Sequence, residues 1–208
     1  MPRPQKQAFL RNALGTLIAG LAMVIGCSAQ EANKTSKDVP IIRIKNFGQM
    51  DARFFRGAQP DREDYKDLAD IGIKTVIDLR ADPEPNERTL VESLGMRYVN
   101  IPMVDKKYPT SEAVEQFLKT VKDPTTGKFF LHCAGGRHRT GAMGAVYRFE
   151  FDNWNFDRVY REMKQYDFYT SWGHGAFKDF VKDYYARMQP NNAESTQGSD
   201  SEKLRNKN

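Results

Sequence analysis

The sequence predicts a single α/β domain whose central, mostly parallel sheet is flanked by helices, and three observations carry that expectation. Short apolar runs rich in β-branched residues alternate with helix-forming segments through residues 40–188. Strands that alternate with helices must pair in parallel through crossover connections. Finally, the run Lys128-Phe129-Phe130-Leu131 leads directly into a glycine-bearing turn and another helix-forming stretch. That is the setting of a ligand loop at the carboxyl end of a sheet strand.

Taken in order, Ile41-Ile42-Arg43-Ile44 and Phe54-Phe55-Arg56 read as two strands, and Gly57-Ala58-Gln59-Pro60 forms a turn after the second. Asp61 is placed to cap a helix that runs through Asp70 and stops at Gly72. Thr75 to Leu79 is a β-branched run suited to a buried parallel strand. A helix from Asn86 to Leu94, closed by Gly95, precedes a strand from Arg97 to Ile101. Ser111 is expected to cap a helix over Glu112 to Val121, and Asp123 to Gly127 turns the chain into the strand before the loop. A helix over Ala142 to Phe149 comes after the loop, and Asn155 to Gln165 and Gly175 to Met188 read as two more.

Composition supports this and narrows the function classes. At 208 residues, with 39% hydrophobic and 12% aromatic side chains, the middle of the chain can fill a core and is not a disordered segment. The formal charge of +5 falls to +2 once Arg3, Lys6 and Arg11 of the leading segment are set aside. No basic helix is interleaved with aromatics, so nucleic acid is not an expected partner. No set of His, Asp or Glu has metal-ligand spacing in the sequence, and no metal or cofactor is expected.

The two ends differ from the middle. Residues 1–12 are polar and basic, Ala13 to Ile25 is uninterrupted and apolar, and Gly26-Cys27-Ser28 comes next. A basic start, a short apolar stretch and a small-residue zone make an export signal over 1–26, too short for a comfortable transmembrane span. Val24-Ile25-Gly26-Cys27 resembles the bacterial lipobox, with Val24 where leucine is usual. This implies lipidation of Cys27 and a chain exported to the periplasm and held on the outer membrane. Ordinary cleavage after Ala29 and an uncleaved anchor are the other readings. Residues 27–39 read as a flexible tether, 40–188 as the domain, and 189–208 as a polar, disordered tail.

The chemistry concentrates in His132-Cys133-Ala134-Gly135-Gly136-Arg137-His138-Arg139-Thr140-Gly141. A turn before a helix start offers unpaired N–H groups and a positive dipole end, a cradle for an anion. The same field stabilises a thiolate, so Cys133 is the candidate nucleophile. The backbone of Ala134, Gly135, Gly136, Arg137, His138 and Arg139 would hold phosphoryl oxygens. The planar fork of Arg139 would grip two of them at once. Preorganised donors of this kind are worth roughly 3–4 kcal/mol each at comparable sites.

His132, Cys133, Gly136, Arg139, Thr140 and Gly141 together match His-Cys-x-x-Gly-x-x-Arg-Thr-Gly, which resembles the signature of the protein tyrosine and dual-specificity phosphatases. Upstream, Phe55-Arg56-Gly57-Ala58-Gln59-Pro60 with Gly72 to Arg80 resembles the corresponding pattern of atypical dual-specificity phosphatases of the plant-and-fungal and bacterial type. The resemblance implies hydrolysis of phosphate monoesters through a cysteinyl-phosphate, without a cofactor. It also implies an aspartate general acid on a loop upstream of the cysteine. Asp105, directly after the Arg97–Ile101 strand, is the first candidate and Asp82 the reserve. Thr140 would either donate its hydroxyl to the sulfur or simply belong to the first helical turn. His132 would orient the loop from beneath. Arg137 and His138 would point outward and make the rim positive, or lie on a solvated face. They resemble the basic pair of the atypical members that act on inositol pyrophosphates. Tyr166, Phe168, Tyr169 and Trp172, near His174, either wall the pocket or pack the last helices.

Phosphotyrosine or phosphoserine proteins are the expected substrates, with inositol polyphosphates or phosphoinositides as the alternative. A rhodanese-type sulfurtransferase also heads an anion loop with a cysteine, but the Arg139-Thr140-Gly141 ending speaks against it. A silent phospho-binding module would be expected to have lost Cys133 or Arg139.

Overall fold

Residues 41–189 are described by the computed structural model; the expected export signal, the expected tether with Cys27 and the expected tail beyond Gln189 lie outside them. The strands are β1 (Gly48–Gln49), β2 (Phe54–Gly57), β3 (Thr75–Arg80), β4 (Arg97–Met103) and β5 (Phe129–His132). They form one sheet in the order β1-β2-β5-β3-β4, in which β2, β5, β3 and β4 pair in parallel and β1 runs antiparallel to β2. The helices are α1 (Asp64–Asp70), α2 (Glu87–Ser93), α3 (Ser111–Lys122), α4 (His138–Asp152), α5 (Phe156–Gln165) and α6 (Gly175–Met188). Among the described residues no helix is long and apolar enough to cross a membrane.

Strand alternation sends neighbouring side chains to opposite faces, and each face has its own core. Phe54, Ile77, Phe129 and Leu131 face α3, α4 and α6. Phe55, Val76 and Phe130 face Tyr65 and Leu68 of α1 and Val91 of α2. The strands are therefore apolar on both sides, as a sheet between two helical layers requires. Helix α4 is buried along nearly its whole length, and Gly141, Ala142, Gly144 and Ala145 keep it slim enough to lie between the sheet and its helical neighbours. Its far end is tied to α5 by Arg148, which reaches Glu162 at 2.7 Å, Asp152 at 2.7 Å and the Met50 carbonyl at 2.9 Å.

Local expectations fail where side chains choose the turn. Ile41–Ile44 is not a strand: Asn46 at φ 53° reverses the chain, and the pairing segment falls at Gly48–Gln49 instead. Asp61 does not cap α1, because Asp61 to Glu63 form a turn in which the Asp64 N–H donates to the Asp61 carbonyl. Thr110, not Ser111, caps α3, its hydroxyl accepting from the Ala113 N–H at 3.2 Å. Helix α4 starts at His138 rather than near Ala142, since the Arg137 carbonyl already accepts from the Gly141 N–H at 2.9 Å. Arg139 and Thr140 thus lie within its first turn.

Candidate active site

Strand β5 lies in the middle of the sheet, between β2 and β3, and its end delivers Cys133 to the carboxyl edge. The loop after it is held from outside by its carbonyls. The Ala134 carbonyl accepts from the Gln59 N–H at 3.3 Å, that of Gly135 from Asn46 Nδ2 at 2.8 Å, and that of Gly136 from an Arg56 guanidinium nitrogen at 2.6 Å. With three successive carbonyls drawn outward, the intervening N–H groups are left to face the space above Cys133. Gly136 is required here: its φ is 64°, and a Cβ on it would overlap the backbone of Gly57 and Ala58. The start of α4 has no side-chain cap. Its first N–H groups and its dipole therefore remain available to an anion.

Cys133 is buried and free. Burial pushes its thiol up, but the Thr140 hydroxyl, the Arg139 guanidinium and the N–H groups of Thr140 and Arg137 outweigh it, and the thiol ends below its ordinary value. Of the influences that lower the thiol, the Thr140 hydroxyl is the leading one. Arg139 is buried and donates to the Met103 carbonyl at 3.2 Å, which fixes its fork against the end of β4. A cavity of about 350 Å³ opens above these groups, and Asp105 stands on its wall. A larger cavity, about 400 Å³, lies between Gln59, Tyr65 and Glu87, and Cys133 is not in its lining.

Asp82 is not brought to the cavity with Cys133. Its side chain is 83% exposed and lies 3.6 Å from the Arg80 guanidinium. Asp105 sits across the cavity from the cysteine, with its Oδ2 3.7 Å from His174 Nε2. The aromatic segment divides between the two expected roles. Tyr169 and His174 line the cavity, Phe168 is in the core, Tyr166 covers the Arg56 guanidinium at 4.1 Å, and Trp172 is 82% exposed.

His138 does not point outward, and it does not make the rim positive. It is buried, its ring stacks on His174 with centroids 3.7 Å apart, and burial, helped by the neighbouring His174, pushes it down to about 4. Near neutral pH it is an uncharged ring, and Arg137 is the rim cation that remains, its guanidinium 5.9 Å from the Tyr169 ring.

Beneath the loop lies a cluster that sequence spacing could not show. His132 is fully buried, with Nε2 2.9 Å from Glu87 Oε1 and Nδ1 3.9 Å from Asp78 Oδ1. The Nε2 contact with Glu87 is close without being a hydrogen bond. Tyr65 donates to Glu87 at 2.6 Å and Tyr98 donates to Asp78 at 2.8 Å. Burial pushes both carboxyls up; His132, Tyr65 and Gln59 bring Glu87 back below the ordinary range, while Asp78 stays above it. Asp78, Glu87 and His132 also form a group with donor atoms close enough together to hold a metal ion, all within 4.8 Å. The two carboxyls are already engaged by His132 and by the Tyr65 and Tyr98 hydroxyls.

Arg56 is the residue that reasoning from spacing missed. It is buried among apolar neighbours, and burial pulls its guanidinium down to about 10. Its place inside the Arg56-to-Pro60 pattern was the available signal.

Comparison with known proteins agrees with this geometry. Residues 29–201 match the family model described as "DSP-PTPase phosphatase fused to NAD+ Kinase". The phosphatase half of that description is the half that the site chemistry matches. The chain is 27% identical over 126 residues to the putative tyrosine-protein phosphatase OCA1 of Mycosarcoma maydis, covering 58% of this chain and 79% of that protein. It is 24% identical over 120 residues to the dual specificity protein phosphatase TpbA of Pseudomonas aeruginosa, covering 58% of this chain and 54% of TpbA. The core catalytic domain of the PP-IP phosphatase SIW14 from S. cerevisiae shares the fold, with TM-score 0.63 at 20% identity over 76% of this chain and 96% of that one. Since the family model spans most of the sequence and encloses the loop around Cys133, the chain belongs to the DSP-PTPase phosphatase family and is a cysteine-dependent phosphatase of the atypical dual-specificity kind.

Proposed function

We propose that the protein hydrolyses phosphate monoesters of phosphotyrosine or phosphoserine proteins in two steps, with Cys133, Arg139, Asp105 and Thr140 as the working groups. The observation that carries this reading is the acidified Cys133 thiol at the foot of a loop whose Ala134, Gly135 and Gly136 carbonyls are held from outside. The backbone of Ala134 to Arg139 and the Arg139 fork hold the phosphoryl oxygens. Cys133 Sγ attacks phosphorus and the bond to the leaving oxygen breaks, while Asp105 gives that oxygen its proton. In the second step Asp105 takes a proton from water, the water oxygen attacks phosphorus, and the P–S bond breaks. The Thr140 hydroxyl supports the departing thiolate, and His132 on Asp78 and Glu87 keeps the loop in register from below.

Inositol polyphosphates or pyrophosphates form the second reading. The relationship to the inositol diphosphatase SIW14 favours it, at 23% identity over 134 residues covering 47% of that protein. The neutral, buried His138 weakens it, because Arg137 then stands without a second loop cation on the rim. A phosphate-release panel of phosphotyrosine peptide, phosphoserine peptide, phosphoinositides and inositol polyphosphates decides between them. The highest kcat/KM is expected on a phosphopeptide, and a clear preference for an inositol polyphosphate overturns the protein-substrate reading. Binding without release would mark a phospho-ligand module instead.

Export and lipidation at Cys27 complete the proposal, and they rest on residues 1–28 alone. Cells fed labelled palmitate should yield a labelled chain, and Cys27→Ser should abolish the label. An unlabelled wild-type chain would return the segment to an ordinary signal or an uncleaved anchor.

A further inference from the structure

His174 enters the cavity from the loop between α5 and α6, far in sequence from the Cys133 loop, and the two hydrolytic steps leave it without a role. It is buried, and its Nδ1 lies 3.1 Å from the Ser171 carbonyl. A carbonyl oxygen only accepts, so Nδ1 carries the hydrogen and Nε2 of the neutral ring is a bare acceptor. That acceptor faces Asp105 Oδ2 at 3.7 Å. Two acceptors so placed repel unless a proton lies on one of them. The contact is longer than a direct hydrogen bond, but Asp105 is half exposed and free to turn, so a small rotation or one water closes it.

Other titratable groups crowd the pair. His138 stacks on His174 with 3.7 Å between centroids and is itself held neutral by burial and by that neighbour. Besides Asp105 and His138, the titratable or charged groups around the ring are Cys133, Arg137 and Arg139 of the Cys133 loop and α4, Tyr169, and Lys106, whose side chain lies against Gly173. Phe177 of α6 closes the remaining side of the stack. Among the described residues Asp105 is the one carboxyl group in the cavity wall, and it touches the ring.

We propose that His174 is a positioning residue for the general acid: it shares a single proton with Asp105, aims the carboxyl into the cavity, and holds the proton ready for the leaving oxygen. The idea rests on Asp105 being that acid. In the first step the proton passes from Asp105 to the leaving oxygen, and the pair is left with none. In the second step the proton that Asp105 removes from water restores it to the pair. No proton or electron is left over after a full cycle.

The test compares wild-type full-length protein with His174→Gln, Asp105→Asn and the double variant, on an aryl phosphate with a good leaving group and on an alkyl phosphate. For His174→Gln, kcat on the alkyl phosphate should fall about tenfold, and the alkaline limb of its pH profile should move to lower pH. With the aryl phosphate kcat should change little, and inhibition by inorganic phosphate should persist. The double variant should be no worse than Asp105→Asn alone, because the two residues act as one device. Equal losses on both substrates, or losses that multiply in the double variant, would overturn the proposal. If Asp105→Asn itself fails to discriminate between the leaving groups, the assignment of Asp105 falls first, and the two failures are told apart. A folding defect in His174→Gln does not remove the test. In wild type, nitrogen NMR should show His174 in the Nδ1–H form with a titration midpoint that moves down in Asp105→Asn. An unchanged midpoint would contradict the sharing.

Discussion

Cys133 is acidic for reasons that can be separated one side chain at a time. Burial opposes ionisation, while the Thr140 hydroxyl, the Arg139 charge and two backbone N–H groups favour it. A depressed thiol is ionised at pH values above its own midpoint and loses reactivity as the pH falls through it. Removing the Thr140 hydroxyl removes the leading influence that lowers the midpoint. Alkylation of Cys133 by iodoacetate, tracked against pH, should therefore show a higher midpoint in Thr140→Ala than in wild type. An unchanged midpoint would leave Thr140 as an ordinary residue of the first turn of α4. With two cysteines in the chain, and Cys27 in the expected tether ahead of the domain, Cys133 has no resolving partner within the domain and is open to over-oxidation. The same scale shows what spacing hides. Cys133, Arg139 and Thr140 could be named from sequence because they are adjacent in a loop of fixed form. His138 could not be placed, because its burial depends on His174 and Phe177 arriving from α6 and the loop before it.

At the scale of elements, the catalytic loop is shaped by what holds its back. Its three outward carbonyls are bound by Gln59, Asn46 and Arg56, all from the chain around β2. The Arg56 bond spans 80 residues and the Asn46 bond 89, so neither has a local sequence signature. The Arg56-to-Pro60 pattern shows that this stretch matters, and the structure supplies the reason. Arg56→Met keeps most of the buried volume but leaves the Gly136 carbonyl without its charged donor. A hydrogen bond from a charged donor contributes about 2 kcal/mol, so stability to urea should fall by about that amount. Inhibition by phosphate should weaken at the same time, because the Gly136 carbonyl is released to turn. Lost stability with intact phosphate binding would show that Arg56 supports the core alone. Turn chemistry explains the local misreadings. Asp61 and Ser111 look like caps, but Asp64 and Thr110 lie where the chain has already turned.

For the whole molecule, topology and site agree. Parallel strands with apolar residues on both faces, and helices between them, were legible because alternation and β-branching are properties of each segment. The order β2-β5-β3, which puts the nucleophile strand in the centre, was not, since pairing partners leave no mark in a single sequence. Nor was the buried His132-Glu87-Asp78 group, which joins β5, α2 and β3 under the loop. All of this structure converges on one chemical event, transfer of a phosphoryl group to Cys133 Sγ. The most direct measurement mixes full-length Asp105→Asn with a 32P-labelled aryl phosphate, quenches within the first turnover and maps the label by mass spectrometry. A phosphothioester is expected on the peptide that contains Cys133, absent from Cys133→Ser, which should also lose all turnover. Label on any other residue, or turnover that survives in Cys133→Ser, would contradict it.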